Sequence, residues 1–504
     1  MNDEARAAVA DLIRRTMRRD RLPGVSVAVV DRDGVRYAEG FGARDLAGNR
    51  PATPETLYGV GSVTKSVTAL ALAQLSEAGM LEFDDPVSDH LDVDLGSDPD
   101  DPIRLRHLLS HASGLPSLGT SEALIGRRLR RDTDTLPLST AADFRAHVEG
   151  AVGAGSGAAG GSPAGGDERV GAPGERFAYS NEGYVLLGDV IEACTGRPYD
   201  RYIAEHVLDP LGLDRATFDD ATFAMDDDHA TMYLREDRGV GPGPASDGGD
   251  GGGRDDLVAA SVPVRELSRP AGGLFASVAG LARYARLLLN EGTLDGRDVV
   301  SPESVAALTE GRVDTPGGPY GFGWRTRESC GRELVGHSGS IAVSTAYVGF
   351  SPEAGLGVAV AANATPGYPL VRLAEGVFAC ALGEEPSEAV PFFARRRRFD
   401  RLTGEYASYR GVMRAVVARD GGGLRLELAG PLGTESLPLT AADGDDPYVF
   451  STPNEAGERV PVEFRVDDGN GGDEGSGPRD QFGVDLLYDR WHLHEVADGP
   501  DVPK

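Results

Sequence analysis

Lysine is almost missing from this chain of 504 residues: of fifty basic residues 48 are arginine, and the two lysines are Lys65 and the terminal Lys504. Positive charge is scarce altogether, since 80 acidic residues against 50 basic ones leave a net charge of −30. Such a chain repels nucleic acid and anionic membranes, and neither is expected as a partner. Cysteine is rare too. Cys194, Cys330 and Cys380 lie far apart without metal-like spacing, which reads as free thiols in a reducing compartment. No run approaches about eighteen consecutive apolar residues, which excludes a transmembrane helix. Arginines near the N-terminus fall inside an amphipathic helical pattern, with no apolar segment after them before Pro23. That is not a signal peptide, and the cytoplasm is the expected compartment.

What is present suffices for sizeable cores: 40% of the residues are apolar, and the length exceeds what one core usually supports. Acidic blocks such as Asp98–Asp101 and Asp226–Asp228 suggest a halophilic protein, in which salt screens the self-repulsion. An amphipathic helix is expected over 3–19, then strands at Val25–Val30 and Val35–Gly42. A long helix is predicted over Ser62–Ala78, shorter ones at 104–110, 184–194, 199–207 and 281–289, and strands at 333–337, 344–350 and 355–362. Residues 150–174, 236–256 and 467–479 are low in complexity and read as flexible insertions. Near Pro391 the character changes to short alternating strands (413–417, 424–428, 460–466, 483–488 and 491–495), which predicts an all-β barrel. The expected division is therefore a domain over 1–390 and a β-barrel module over 395–504.

The one internal lysine stands in Ser62-Val63-Thr64-Lys65. A serine hydroxyl is a poor nucleophile until a base takes its proton. Residues three apart share a helix face, so Lys65 can reach Ser62. Arginine stays protonated, whereas a desolvated lysine can lose its proton. A purely structural cation at this place would be free to be arginine, as almost everywhere else here. Tyr58-Gly59-Val60-Gly61 just upstream suggests a turn that sets Ser62 at a helix N-terminus, where the macrodipole stabilises developing negative charge. By itself S-x-x-K is a weak signal.

Taken with Tyr179-Ser180-Asn181 and His337-Ser338-Gly339, the sequence resembles the serine β-lactamase and penicillin-binding-protein family, closest to the branch of class C β-lactamases, D-aminopeptidases and related esterases. Flanking segments agree in order, among them LRHLLSHASGLP (105–116), PAGGLFASVAGLARY (270–284) and GHSGSIAVSTAYVGFSPEAGLGVAVAANA (336–364), and the resemblance covers roughly residues 10–385. It implies an α/β body, an antiparallel sheet flanked by helices plus an all-helical lobe, with the active site between them. It implies Ser62 as acylated nucleophile, and proton traffic shared by Lys65 and a Tyr179 whose pKa neighbouring cations hold low. Asn181 would orient Lys65 and the substrate amide, and the backbone N–H groups of Ser62 and Ser340 would form the oxyanion hole. His337, Ser338 and Gly339 would line the strand along which the substrate lies. His337 replaces the lysine usual in lactamases, a weaker and switchable cation, and this departure suits peptidases and esterases better. The C-terminal module resembles the lipocalin-like barrel appended to some peptidases of this family, with gating of the cleft or homo-oligomer formation as its suggested role.

Other candidates carry less. His107 and His111 are four apart but lack the glutamate of a metalloprotease helix. His492 and His494 share a strand face and read as surface histidines rather than a ligand pair. The glycine-rich stretches lack a G-K-[ST] ending and are not phosphate loops. The expected activity is hydrolysis of small peptides or amides through a Ser62 ester, without metal or organic cofactor. The alternatives are a carboxylesterase with the same residues and a catalytically idle peptide-binding protein.

Overall fold

A computed structural model describes residues 1–129, 140–152, 168–235, 257–261, 266–442, 446–454, 456–466 and 484–496. The insertions expected at 236–256 and 467–479, the middle of that at 150–174, and Lys504 lie outside these residues. The chain divides into two compact units, one formed by Met1–Arg235 with Leu257–Val390 and the other running from Pro391 onward.

The first unit is built on a seven-stranded antiparallel sheet. Its strands, in spatial order, are Arg325–Ser329, Arg332–Ser340, Thr345–Ser351, Leu356–Ala362, Gly24–Asp31, Val35–Asp45 and Arg50–Pro51. The nearly continuous apolar run of Gly24–Asp31 is buried at every position except Asp31, as both faces of the sheet are covered. Helix Val278–Leu289 packs on Leu356–Ala362 and Gly24–Asp31, while Val371–Leu382 packs on Leu356–Ala362 and on the N-terminal helix Asp3–Asp20. That first helix is capped by Asn2, whose side chain accepts from Ala5 N, and it carries Asp3 and Glu4 in its first turn and Arg18 and Arg19 in its last. Shorter helices (Leu105–Leu109, Thr120–Arg128, Ala141–Ala151, Asn181–Thr195 and Tyr199–Ile203) form a helical lobe around Thr64–Glu77. Eleven of the fourteen residues in Thr64–Glu77 are buried, so this helix is the hub of the unit and not a surface element.

Ser62 departs from the predicted helix. It lies in a 3₁₀ turn, Gly61–Val63, and the α-helix proper starts at Thr64. Gly61 adopts the left-handed region at φ +54°, and a Cβ there would also stand 2.6 Å from the Ser340 nitrogen, so backbone and space both favour glycine. Thr64 Oγ1 ties the turn together, donating to Gly61 O at 2.7 Å and accepting from Leu274 N at 3.1 Å.

The second unit is a closed barrel of eight strands, from Gly404–Ala407 to Trp491–Glu495, and these first and last strands pair. Its interior is packed with Tyr406, Leu424, Leu426, Leu437, Phe450, Val462, Phe464, Leu486 and Leu493, together with Phe399 and Leu402 of helix Pro391–Leu402. That helix and strands Gly404–Ala407, Gly433–Ala441 and Val449–Pro453 were not expected from the sequence. Only Leu437 and Leu439 are buried in Gly433–Ala441, so no apolar alternation marks most of that strand.

Candidate active site

Lys65 is fully buried on the first turn of Thr64–Glu77, and its ammonium nitrogen meets three oxygens: Ser62 Oγ at 3.0 Å, Asn181 Oδ1 at 2.7 Å and the Ala271 carbonyl at 2.6 Å. It also lies over the rings of Tyr179 and Tyr184, 4.9 and 5.5 Å from their centroids. Burial is the dominant influence on this amine and brings its pKa down to about 7, against the opposing field of Glu182 and Glu122. Both protonation states therefore fit the cage. A charged lysine donates to all three oxygens. A neutral one donates to Asn181 and Ala271 and turns its lone pair to the Ser62 hydroxyl.

Asn181 is set by the helix it opens. Ser180 caps Asn181–Thr195, its Oγ accepting from Gly183 N at 3.2 Å, which places Asn181 at the first helical position and Tyr184 one turn on. Glu182 on the same turn is buried and accepts from Thr120 N at 3.2 Å, from the Thr120 hydroxyl and from Ser180 Oγ at 3.1 Å. Tyr179 is half-buried beside Ser62. Burial drives its phenol well above its usual pKa, outweighing the opposing influences of Ser62 and Arg325. The low-pKa, phenolate-like Tyr179 expected from the sequence is thus corrected: the ring stands among aromatic neighbours, and the cations near it do not offset lost hydration.

On the sheet side, Arg325–Ser329 pairs with Arg332–Ser340 only as far as Arg325 opposite Gly336. Beyond that, His337–Ser340 keeps Thr345–Val348 as its partner on the other flank. Gly339 lets this stretch close on the turn that holds Ser62, since a Cβ there would come within 1.9 Å of Val60 O and 2.7 Å of Ser62 N. The backbone of Ser340 is thereby brought against Gly61–Ser62, as an oxyanion hole from the Ser62 and Ser340 amides requires. Ser338 is half-buried beside His337.

His337 differs from the switchable cation expected. It is buried, its Nδ1–H donates to the Ser338 carbonyl at 2.7 Å, and its Nε2 accepts from the Tyr320 hydroxyl at 2.9 Å. Burial first, then the charge of Lys65, pushes its pKa down to about 3. This imidazole is neutral at any working pH. Arg325 and Arg327 are the nearby arginines on this side, and the Arg325 guanidinium carbon lies 5.5 Å from the Phe177 ring and 5.6 Å from the Tyr320 ring.

Tyr184, Tyr320, Glu182 and Arg325 were not singled out from the sequence. Tyr184 was within reach of a periodicity argument, three after Asn181. Tyr320 and Arg325 reach the site only through tertiary pairing. His107 and His111, weighed as metal ligands, are used otherwise: each ring's Nδ1 accepts a backbone N–H, from Arg104 and Ser180 respectively, both at 3.1 Å. His111 stands outside its helix at φ +57° and lies 4.1 Å from the Tyr179 ring, 4.9 Å from Tyr320 and 5.1 Å from Tyr184. The three cysteines are unpaired, Cys380 buried and the others half-buried.

Residues 9–377 match the family model described as Beta-lactamase. The chain belongs to the β-lactamase family. Within that family it is similar to the octameric penicillin-binding protein homologue from Pyrococcus abyssi, at 32% identity and a TM-score of 0.80, covering 97% of this chain and 99% of that one. A D-stereospecific amidohydrolase from Streptomyces sp. shares 25% identity at a TM-score of 0.54, over 71% of this chain and 94% of that one. Protein flp of Staphylococcus aureus (strain MW2) is 26% identical over 372 residues, 73% of this chain. The chain spans 65% of the length of that curated relative. Residues 386–494 match the model of the Pab87 octamerisation domain. Among the described residues no helix is long and apolar enough to cross a membrane.

Proposed function

We propose that this β-lactamase-family chain is a serine hydrolase that forms an acyl-enzyme at Ser62 and acts on small peptides or amides. The observation that carries this reading is the buried Lys65 amine, with a pKa near 7, 3.0 Å from the Ser62 hydroxyl. In its neutral form Lys65 takes the Ser62 proton as Oγ attacks the substrate carbonyl. Charge developing on the carbonyl oxygen is met by the Ser62 and Ser340 amides. Tyr179, a protonated phenol beside Ser62, passes its proton to the leaving nitrogen and regains one from Lys65. Water then attacks the ester and Ser62 is restored. Asn181 holds Lys65 in register, while His337, Ser338 and Gly339 present the strand against which the substrate lies. With His337 neutral, Arg325 is the group that would meet a substrate carboxylate.

Amide substrates are favoured over esters by the similarity to the amidohydrolase, and the same residues would serve a carboxylesterase. The barrel is proposed to build a homo-oligomer, from its likeness to an octamerisation domain. A cytoplasmic, salt-adapted protein is proposed from the unpaired thiols and the net charge of −30. The central test is labelling with a fluorophosphonate or a fluorescent penicillin followed by peptide mass spectrometry. Label is expected on Ser62, with turnover falling by at least about a thousandfold in Ser62→Ala. Label on a different serine, with Ser62 unmodified, overturns the assignment. A panel of p-nitroanilides of both chiralities against p-nitrophenyl esters separates amidase from esterase.

A further inference from the structure

Far from the Ser62 site in sequence, the last two strands of the barrel bring together three metal-ligand side chains. Val484–Tyr488 and Trp491–Glu495 pair antiparallel, with Asp485 opposite His494 and Leu487 opposite His492. Successive side chains alternate across a strand, so His492 and His494 point to one face, and Asp485 joins them from next door. The buried parity, Val484, Leu486, Tyr488 and Leu493, fills the barrel, so the trio is on the outside. His494 Nδ1 lies 2.8 Å from Asp485 Oδ1 and His492 Nε2 lies 3.2 Å from Asp485 Oδ2. The two imidazole centroids are 4.5 Å apart. One nitrogen from each ring and a carboxylate oxygen all fall within 4.8 Å of one another.

We propose that Asp485, His492 and His494 form a binding site for a divalent transition metal of the zinc class. Ligands about 2.0–2.2 Å from a tetrahedral ion stand roughly 3.4 Å from each other, so this cluster needs only small side-chain rotations to close. Two imidazoles and one carboxylate select Zn²⁺, Ni²⁺ or Cu²⁺ over Mg²⁺ or Ca²⁺, which prefer oxygen. Side-chain exposures of 39% for Asp485, 50% for His492 and 58% for His494 leave the face open to ion entry and to a fourth ligand. The competing cation on this face is Arg465, opposite Asp485 on the neighbouring strand, and its Nε is held by Glu463 at 2.7 Å. An ion here clips the final strand to its neighbour and so bears on closure of the barrel.

The test is calorimetric titration of Zn²⁺ into the full chain after stripping with EDTA. One equivalent is expected at about micromolar affinity, with no response to Mg²⁺. His492→Ala and His494→Ala should each weaken binding at least about tenfold, and the double variant should lose the event. Absence of binding tighter than roughly 100 µM in the unaltered chain, or an undiminished equivalent in a folded double variant, overturns the site. Should the variants fold poorly, the Co²⁺ spectrum of the unaltered chain decides. Ligand-field bands without thiolate charge transfer are expected, whereas thiolate charge transfer would assign the ion to a cysteine.

Discussion

Tyr320 donates its hydroxyl to Nε2 of His337 at 2.9 Å, and that single contact fixes the character of the strand side of the cleft. With Nδ1–H spent on the Ser338 carbonyl, the neutral tautomer satisfies both ring nitrogens, Nε2 accepting from the Tyr320 hydroxyl. Taking up a proton would put a second donor against a hydroxyl in a site that already holds Lys65. The third motif therefore supplies shape and hydrogen bonding, and charge is left to neighbouring arginines such as Arg325.

A pH dependence of stability follows. The folded state holds His337 near 3, whereas the unfolded chain protonates it around 6.5. In the window between, the unfolded chain binds more protons, so stability falls as pH drops from about 6.5 toward 3. His107, held near 4 chiefly by burial, acts in the same direction. His337→Gln removes one of these protons and should flatten the loss between pH 6.5 and 4.5 by about 2 kcal/mol, read by urea unfolding at each pH. An unchanged slope would show that His337 is charged in the folded protein.

Gly339→Ala tests the closure of the strand on the Ser62 turn. Nothing about the Gly339 backbone itself forbids alanine, but its Cβ would fall on Val60 O and Ser62 N. The two backbones must part, and the proposed oxyanion donors part with them. Labelling of Ser62 should slow by at least about a hundredfold, as for loss of an oxyanion donor, with far-UV circular dichroism unchanged. Gly34→Ala is the control, since a Cβ there meets nothing within 4 Å. Equal labelling rates in the two variants would remove the Ser62–Ser340 pair from the mechanism.

Much of the site was legible because its first contacts are local. Ser62 and Lys65 are three apart, and Tyr179 and Asn181 flank the serine that caps their helix. What escaped depends on depth or long-range pairing. The Ala271 carbonyl that accepts a hydrogen bond from Lys65 lies 206 positions away and offers no side chain to recognise. The upward shift of Tyr179 could not be read either, because its cause is the packing of His111, Phe177 and Tyr184 around it. In the barrel, strands with a regular apolar alternation, such as Val484–Tyr488, were visible. Gly433–Ala441 was not, with a proline and polar residues at most positions. Helix Pro391–Leu402 buries only Phe393, Phe399 and Leu402 among its arginines.

Ending the chain after Val390 should leave a folded unit that still labels. All the residues around Lys65 belong to the first unit, and the barrel has its own separate core. The truncated chain is expected to acylate Ser62 within about threefold of the full-length rate, because no first-unit contact of Ser62 or Lys65 is removed. Smaller assemblies on a sizing column would accompany this if the barrel builds the oligomer. A soluble, folded truncation that cannot be labelled would mean that the barrel completes the site.

The sharpest experiment exchanges Lys65. Arginine, which carries nearly every other positive charge in this chain, keeps the cation but cannot serve as base. The cage complicates that exchange: Nζ is enclosed by Ser62, Asn181, Ala271 and two tyrosine rings, and a guanidinium overfills it at a cost of about 1–3 kcal/mol. Lys65→Met supplies the partner measurement, with similar length, no charge and no base. In the unaltered protein the rate of Ser62 acylation should rise with pH through about 7, as Lys65 loses its proton. Both variants should lose that rising limb and acylate at least about a hundredfold more slowly, with Lys65→Met folded as judged by its melting transition. A variant that retained more than about a third of the rate would exclude the amine as base. The proton would then have to go to Tyr179, which burial makes the poorer acceptor.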